Sequence, residues 1–355
     1  MSARAKKKAR TNPLPSELSI PRVIREWQGE EYVQGLAWSP DGLLLAIAEI
    51  SGRVTILDIM NGDIRLQTQA HALGCCHIAW RPHGNMLATG GQDGSLKIWN
   101  TENGDLLHTL GSGRDWIECL AWNQTGESLA FSQGRVLSVW SPAAGLKDGF
   151  PPMPSTILGV DWNPGGDSIA AAAYGGVTVF PLEGARVPRE FAWKGSSLSI
   201  AWSPNGKYIA SGQQDNCVHF WRVENGSDSQ MHGYATKVRD IAWSPDSRFL
   251  ATAGSDEITM WDFQGKGPEG RPPLNLEGHR DLVTALAFES SGASLVSGSA
   301  DGGLILWDTI RRIPLWSERL PSGVTRVAWV GGVQTRLAAG DESGTVAIYD
   351  IGSPS

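Results

Sequence analysis

At 355 residues the length suggests about two domains, and 41 % hydrophobic with 19 % charged residues marks a globular rather than a disordered chain. No apolar run approaches the roughly 18 residues needed to cross a bilayer. The net charge is −7, and setting aside the five basic residues of positions 1–10 leaves −12 for the rest, which argues against a phosphate-tracking nucleic-acid surface.

Two entries in the composition stand out, 43 Gly and 16 Trp, which together suggest many tight turns between short, heavily buried strands. The four cysteines, Cys75, Cys76, Cys119 and Cys217, all lie in apolar strand-like runs and read as reduced, buried thiols of a cytosolic protein.

In chain order, the first element is a basic tail, residues 1–18, with Arg4, Lys6, Lys7, Lys8 and Arg10 and no apolar stretch of a secretory signal. It reads as a solvated, disordered arm; a nuclear-import or nucleic-acid role is its functional alternative. Next comes IPRVIREWQ (20–28), a strand-like run with no adjacent partner. The segment 19–352 then reads as a single domain built on one repeat.

The repeat opens with LAWSPDG (36–42), IAWRPHG (78–84), LAWNQTG (120–126) and VDWNPGG (160–166). It continues with IAWSPNG (200–206), IAWSPDS (241–247), LAFESSG (286–292) and VAWVGGV (327–333). The aromatic of each unit (Trp38, Trp80, Trp122, Trp162, Trp202, Trp243, Phe288, Trp329) recurs at intervals of 40 to 45 residues. Each unit continues with a small-residue strand such as LATGG or IASGQ, then a turn and a third strand. The third strands end at Leu57, Trp99, Trp140, Phe180, Trp221, Trp261, Trp307 and Tyr349. Turn chemistry agrees: Pro40-Asp41-Gly42 and Pro204-Asn205-Gly206 preset φ and then permit positive φ, and Asn103-Gly104 is a two-residue hairpin signal. First strands such as ECLAW are apolar throughout, as strands buried on both faces are.

These units resemble the WD-repeat (WD-40) β-propeller family over about residues 20–350. The resemblance implies an all-β, eight-bladed propeller of four-stranded antiparallel blades, with seven blades as the alternative count. The last unit stops at its third strand, so the run at 20–28 is expected to complete the last blade and remove the open edge. The family's structural tetrad maps onto His71, Thr89, Asp93 and Trp99 in unit 2 and His279, Ser297, Asp301 and Trp307 in unit 7. Unit 5 keeps Ser211, Asp215 and Trp221 with Trp193 in place of the His, and unit 6 has Tyr234 there.

The family's partner-contacting positions lie six and four residues before the anchoring aromatic and just before the turn Asp. Carried over, they give a rim of Tyr32, Gln34, Gln92, Trp116, Glu118, Gln133, Gln214, Lys237, Arg239, Thr325 and Glu342. Trp116 is singular: seven tryptophans are anchors, five close third strands, Trp27 and Trp316 fall in outer strands, and Trp193 takes a tetrad position. Trp116 repeats nowhere and falls on the rim. Interface hot spots are enriched in Trp, Tyr and Arg, which makes Trp116, Tyr32 and Arg239 the candidate anchors.

Ser297, His279 and Asp301 superficially form a hydrolase triad, but a nucleophile needs exposure beside an oxyanion hole, and the resemblance implies a buried structural chain instead. No P-loop, G-x-S-x-G elbow or H-E-x-x-H occurs, and Cys75-Cys76-His77 alternates across a strand, so no cofactor, metal or catalytic residue is assigned. The expectation is a non-enzymatic, cytoplasmic scaffold that docks a protein or peptide on one rim, monomeric by default and without a membrane partner. A small-ligand-binding or catalytic central channel is the second reading, and a nuclear nucleic-acid or chromatin adaptor using the tail the third.

Overall fold

The computed structural model describes residues 21–111, 113–184, 187–330 and 335–352. The assignment of residues 1–18 as a disordered tail lies outside them. The described residues form eight antiparallel sheets arranged as a ring, an eight-bladed propeller. Strands within a blade are lettered a to d in chain order, with a nearest the central channel.

Blade 1 shows the plan: Val33–Trp38 (a), Leu44–Glu49 (b), Arg53–Asp58 (c) and Ile64–Gln69 (d) pair in that order. In blade 4 strands b and c form one continuous run, Ser168–Pro181, which turns back at Gly175 and Gly176. Their φ angles of +100° and +121° lie where only glycine is unstrained, and the bond from Leu182 N to Asp167 O (2.9 Å) closes the hairpin. The eighth blade takes strands a to c from Val324–Val330, Arg336–Asp341 and Thr345–Asp350, and its outer strand from Arg22–Gln28. The N-terminal strand therefore closes the ring, as the unpaired run at 20–28 implied.

The core is a set of hydrophobic clusters, one at each blade-to-blade interface. Between blades 1 and 2, for example, Ala46, Ala48, Val54 and Ile56 meet Ile78, Trp80, Leu87 and Trp99. Each sheet is thus apolar on both faces, which is why the strands do not alternate apolar and polar residues.

The anchoring tryptophans have a specific task. Trp122 Nε1 donates to the carbonyl of Ala79 (3.3 Å), Trp162 to Ala121 (2.8 Å), Trp243 to Ala201 (3.2 Å), Trp329 to Ala287 (3.0 Å) and Trp38 to Ala328 (3.0 Å). Each acceptor sits immediately before the anchor of the preceding blade, so the indoles staple blade to blade. The seam between blades 8 and 1 is bonded further by Thr325 Oγ1 to Val33 O (2.7 Å) and Arg336 Nη1 to Gly42 O (2.8 Å).

Candidate interaction rim

One end of the ring, here the upper rim, carries the connections that enter strand a and the turns between b and c. A repeated main-chain bond ties the two together. The carbonyl six residues before the anchor accepts from the turn: Tyr32 from Ile50, Gly74 from Gln92, Trp116 from Gly134, Ser196 from Gln214, Leu282 from Ala300 and Gly323 from Glu342, at 2.9 to 3.2 Å. The two classes of rim position inferred from the sequence therefore meet on one surface. Where the chains approach most closely, a side chain is excluded: a Cβ on Gly74, whose φ is +127°, would lie 2.8 Å from Ile50 O.

Individual rim residues fare differently. Trp116 is 48 % exposed. Gln214, Lys237, Arg239 and Glu342 are exposed, whereas Tyr32, Gln34, Gln92, Glu118 and Gln133 are half-buried. Burial pushes the Glu118 carboxyl above its ordinary range. The Gln133 amide nitrogen is engaged by the carbonyl of Gly94 (3.1 Å).

Thr325 requires a correction: it is 3 % exposed, and its hydroxyl turns inward to the carbonyls of Val33 and Gly340. It belongs to the closing seam, not to the exposed rim. A β-bulge between Val324 and Arg326 re-aims it.

The structure adds apolar neighbours that positional transfer missed. Ile50, Leu73 and Tyr174 are exposed on the same rim, Leu73 at 68 % and Tyr174 at 61 %, beside Leu158 and Trp116. They form an apolar arc over blades 1 to 4, while Gln214, Lys237, Arg239 and Glu342 make the rim of blades 5 to 8 polar. The signal was a bulky apolar residue in a turn, as in Tyr174-Gly175-Gly176.

Beneath the rim, the tetrads are hydrogen-bond chains. In blade 2, His71 bridges Asp93 (Nδ1 to Oδ1, 3.1 Å) and Thr89 (Nε2 to Oγ1, 2.8 Å), and Trp99 Nε1 donates to Thr89 Oγ1 (3.0 Å). In blade 7 the chain is shorter: His279 Nε2 meets Ser297 Oγ (2.6 Å) and Trp307 Nε1 donates to that oxygen (2.8 Å), but Asp301 pairs with Arg319 (2.8 Å) instead of the His. Burial holds His279 down near a pKa of about 4, so it is neutral at physiological pH. In blade 6, Tyr234 stands in for the His and takes the Trp261 indole N–H directly (2.7 Å). Blade 5 departs furthest: Trp193 stacks on His219 at 4.0 Å between centroids, Gln213 Nε2 donates to Ser211 Oγ (2.9 Å), and Asp215 is left exposed. Thr89 and Ser297 are fully buried, so neither hydroxyl is presented to a substrate as a nucleophile must be.

Blades 1 and 8, which lack the His, solve the same problem from the end of strand b. Glu49 Oε1 accepts from Glu30 and Glu31 N (2.7 and 2.9 Å), and Asp341 Oδ2 accepts from Ser322 N (3.2 Å), pinning the incoming connection. Gln133 and Gln213 occupy the same position in blades 3 and 5. Where the tetrad is present that position is small: a Cβ on Gly91 would fall 2.2 Å from His71 Nδ1, and one on Gly254 2.6 Å from Tyr234 Cδ1. In blades 2 and 6 the tetrad aromatic thus fills space that a long polar residue at the end of b occupies in blades 1, 3 and 8, whereas blade 5 carries both, Trp193 and Gln213.

Comparison with known proteins gives two family matches. The family described as IFT122 first beta-propeller matches residues 32–266, and the WD domain, G-beta repeat, matches residues 270–308. Striatin-4 from Homo sapiens is 27 % identical over 165 residues, 45 % of this chain and 18 % of that protein. Target of rapamycin complex subunit wat1 from Schizosaccharomyces pombe is 28 % identical over 160 residues, 44 % of this chain and 50 % of that protein. Anaphase-promoting complex subunit cdh1 from Dictyostelium discoideum is 25 % identical over 116 residues, 31 % of this chain and 15 % of that protein. The chain thus spans half or less of these relatives' own length. A solved structure of the computationally designed protein Ika8 superposes with a TM-score of 0.77 at 20 % identity, covering 95 % of this chain and 100 % of that one, and shares the fold.

Proposed function

This chain belongs to the WD-repeat β-propeller family, and on that premise we propose that it is a non-catalytic docking platform that holds a protein or peptide partner on its upper rim. The observation that carries this reading is the apolar arc of Leu73, Trp116, Leu158 and Tyr174, set on main-chain-braced connections on the same rim that carries the cations Lys237 and Arg239 on blade 6. Large aromatic and aliphatic side chains exposed on a rigid frame have little ordering entropy to lose on binding, the property of an interface anchor. Lys237 and Arg239 then favour a partner with an acidic group beside its apolar segment. That two relatives are named as subunits of the target of rapamycin and anaphase-promoting complexes supports membership of an assembly. The cysteines are free, with Cys75, Cys119 and Cys217 buried, which fits residence in the reducing cytoplasm.

The test is affinity capture with mass spectrometry, comparing wild type with the Trp116→Ala, Lys237→Glu double variant. The expected outcome is loss of the captured partner with an unchanged melting temperature, because neither side chain belongs to a core cluster. Undiminished capture would overturn the rim assignment.

A further inference from the structure

The innermost strands carry four side chains that the repeat does not require. Immediately before the anchoring aromatic, every unit has alanine except unit 4, which has Asp161. Two residues earlier, Gly35, Cys119, Gly159, Ser199 and Ala285 are small, and the exceptions are His77, Asp240 and Arg326. Positions two apart on a strand share a face, and on the innermost strands that face turns to the next blade, where Cys119, Ala37, Ala79 and Ala121 pack into the interface clusters. His77 is exposed, and Asp161, Asp240 and Arg326 are half-buried.

These four sit on alternate blades: His77 on 2, Asp161 on 4, Asp240 on 6 and Arg326 on 8. In a ring of eight, blade 2 faces blade 6 and blade 4 faces blade 8, so each basic side chain has a carboxyl across the channel from it. Both basic groups flank blade 1, and both acids flank blade 5. Enclosure by protein pushes His77 down to about 4, and the charge of Arg326 adds to that fall. Enclosure pushes Asp240 up to about 6, against the opposing pull of the Leu286 N–H and of Arg326. Arg326 therefore acts on groups from two other blades, as a residue facing a shared space does.

The carboxyls are held at the wall. Asp240 Oδ2 accepts from Leu286 N (2.6 Å) and Asp161 Oδ2 from Trp202 N (2.8 Å), each on the next blade. Those bonds give the acids a part in the frame but leave Arg326 and His77 unexplained. Arg326 makes no salt bridge among the described residues; its guanidinium donates to the carbonyl of Thr325 (2.7 Å). Asp161 lies two residues further down the strand, roughly 7 Å deeper at about 3.3 Å per residue.

From this arrangement we infer that the central channel binds a small zwitterion of the amino-acid type, with its carboxylate toward Arg326 and His77 and its ammonium toward Asp240 and Asp161. A simple anion meets two carboxyls here and a simple cation meets the guanidinium. A molecule carrying both charges is complementary to both sides. The inference is independent of partner docking on the rim.

Binding of each standard amino acid to the full chain, measured by ligand-observed NMR with acetate and methylammonium as half-ligands, tests it. At least one amino acid is expected to bind about tenfold or more tightly than either half-ligand. That affinity should fall by about tenfold or more in Arg326→Gln and in Asp240→Asn, and stay unchanged in Trp116→Ala. Asp240→Asn retains an acceptor for the Leu286 N–H, so it removes the charge while keeping the frame, and circular dichroism verifies the fold. The proposal is overturned if no amino acid binds, if a half-ligand binds as tightly, or if Asp240→Asn binds like wild type.

Discussion

At the scale of single residues, Asp161 shows what one departure from the repeat costs. Burial pushes its carboxyl up to about 7 from an ordinary value of 3.8, against the opposing effect of the Trp202 and Trp162 N–H groups. Because the folded-state pKa is raised, the neutral acid's stabilising contribution is fully present below about pH 4 and is lost as pH rises to about 7. Asp161→Asn keeps an oxygen for the Trp202 N–H and removes the charge. It should match wild type at pH 4 and exceed its stability at pH 8 by up to about 4 kcal/mol, about 1.4 kcal/mol for each pH unit by which the pKa is raised, in urea titrations at each pH. A pH-independent difference between the two proteins would refute this account. The substitution of Ala by Asp was visible in the aligned units. Its meaning was not, because an apolar strand next to a channel and one inside a core carry the same pattern.

Between elements, the anchoring tryptophans make a sharper prediction. Trp162 and Trp202 are both only 6 % exposed, but only Trp162 donates its indole N–H to the preceding blade. Trp202 lacks that bond in the one unit where Asp161 replaces the acceptor alanine. Replacing either by Phe removes similar volume, but Trp162→Phe also removes the bond to the Ala121 carbonyl. It should cost about 1 kcal/mol more than Trp202→Phe in denaturant unfolding, and equal costs would dismiss the stapling role. The positions of these tryptophans were legible because the fold demands them every 40 to 45 residues. The bulges near the start of strand a in blades 1, 2, 7 and 8 were not. An inserted residue leaves no mark in a run already apolar on both faces, and so Thr325 was assigned to the wrong surface. The same limit hid the exchange, in blades 2 and 6, of a long polar residue at the end of strand b for a tetrad aromatic. That exchange is a contact between segments some twenty residues apart in sequence, and no local pattern encodes it.

For the whole molecule, stability is that of a closed circle. Arg22–Gln28 pairs along Thr345–Asp350, and Trp27 packs into the cluster between blades 8 and 1. Removing residues 1–28 would expose the third strand of blade 8 as a free edge. Such a truncation is expected to self-associate, seen as oligomers by size-exclusion chromatography with light scattering, and a stable monomer would show that the closing strand is dispensable. The eight-fold period itself was readable from the repeat, and so was the identity of the closing strand, since eight units offered only three strands for the last blade. What the period could not supply was the asymmetry of the finished ring, with apolar side chains on one half of the rim and basic residues on blades 2 and 8 opposite acidic ones on blades 6 and 4. Those properties arise only when residues from distant units share a space.

The closing pair also sets an order of events during synthesis. Residues 22–28 leave the ribosome before any blade strand they pair with and have no partner until residues 345–350 appear, more than 300 residues later. Domains fold during synthesis at about 5–20 residues per second, so the segment stays unpaired for tens of seconds while seven blades stack behind it. Until the last blade emerges, the nascent chain is an open spiral with a free strand at one end and an unfinished sheet at the other. Any factor that shields nascent edges has its longest opportunity on this one segment, and the final sealing of the circle is the step a slow or stalled ribosome would delay.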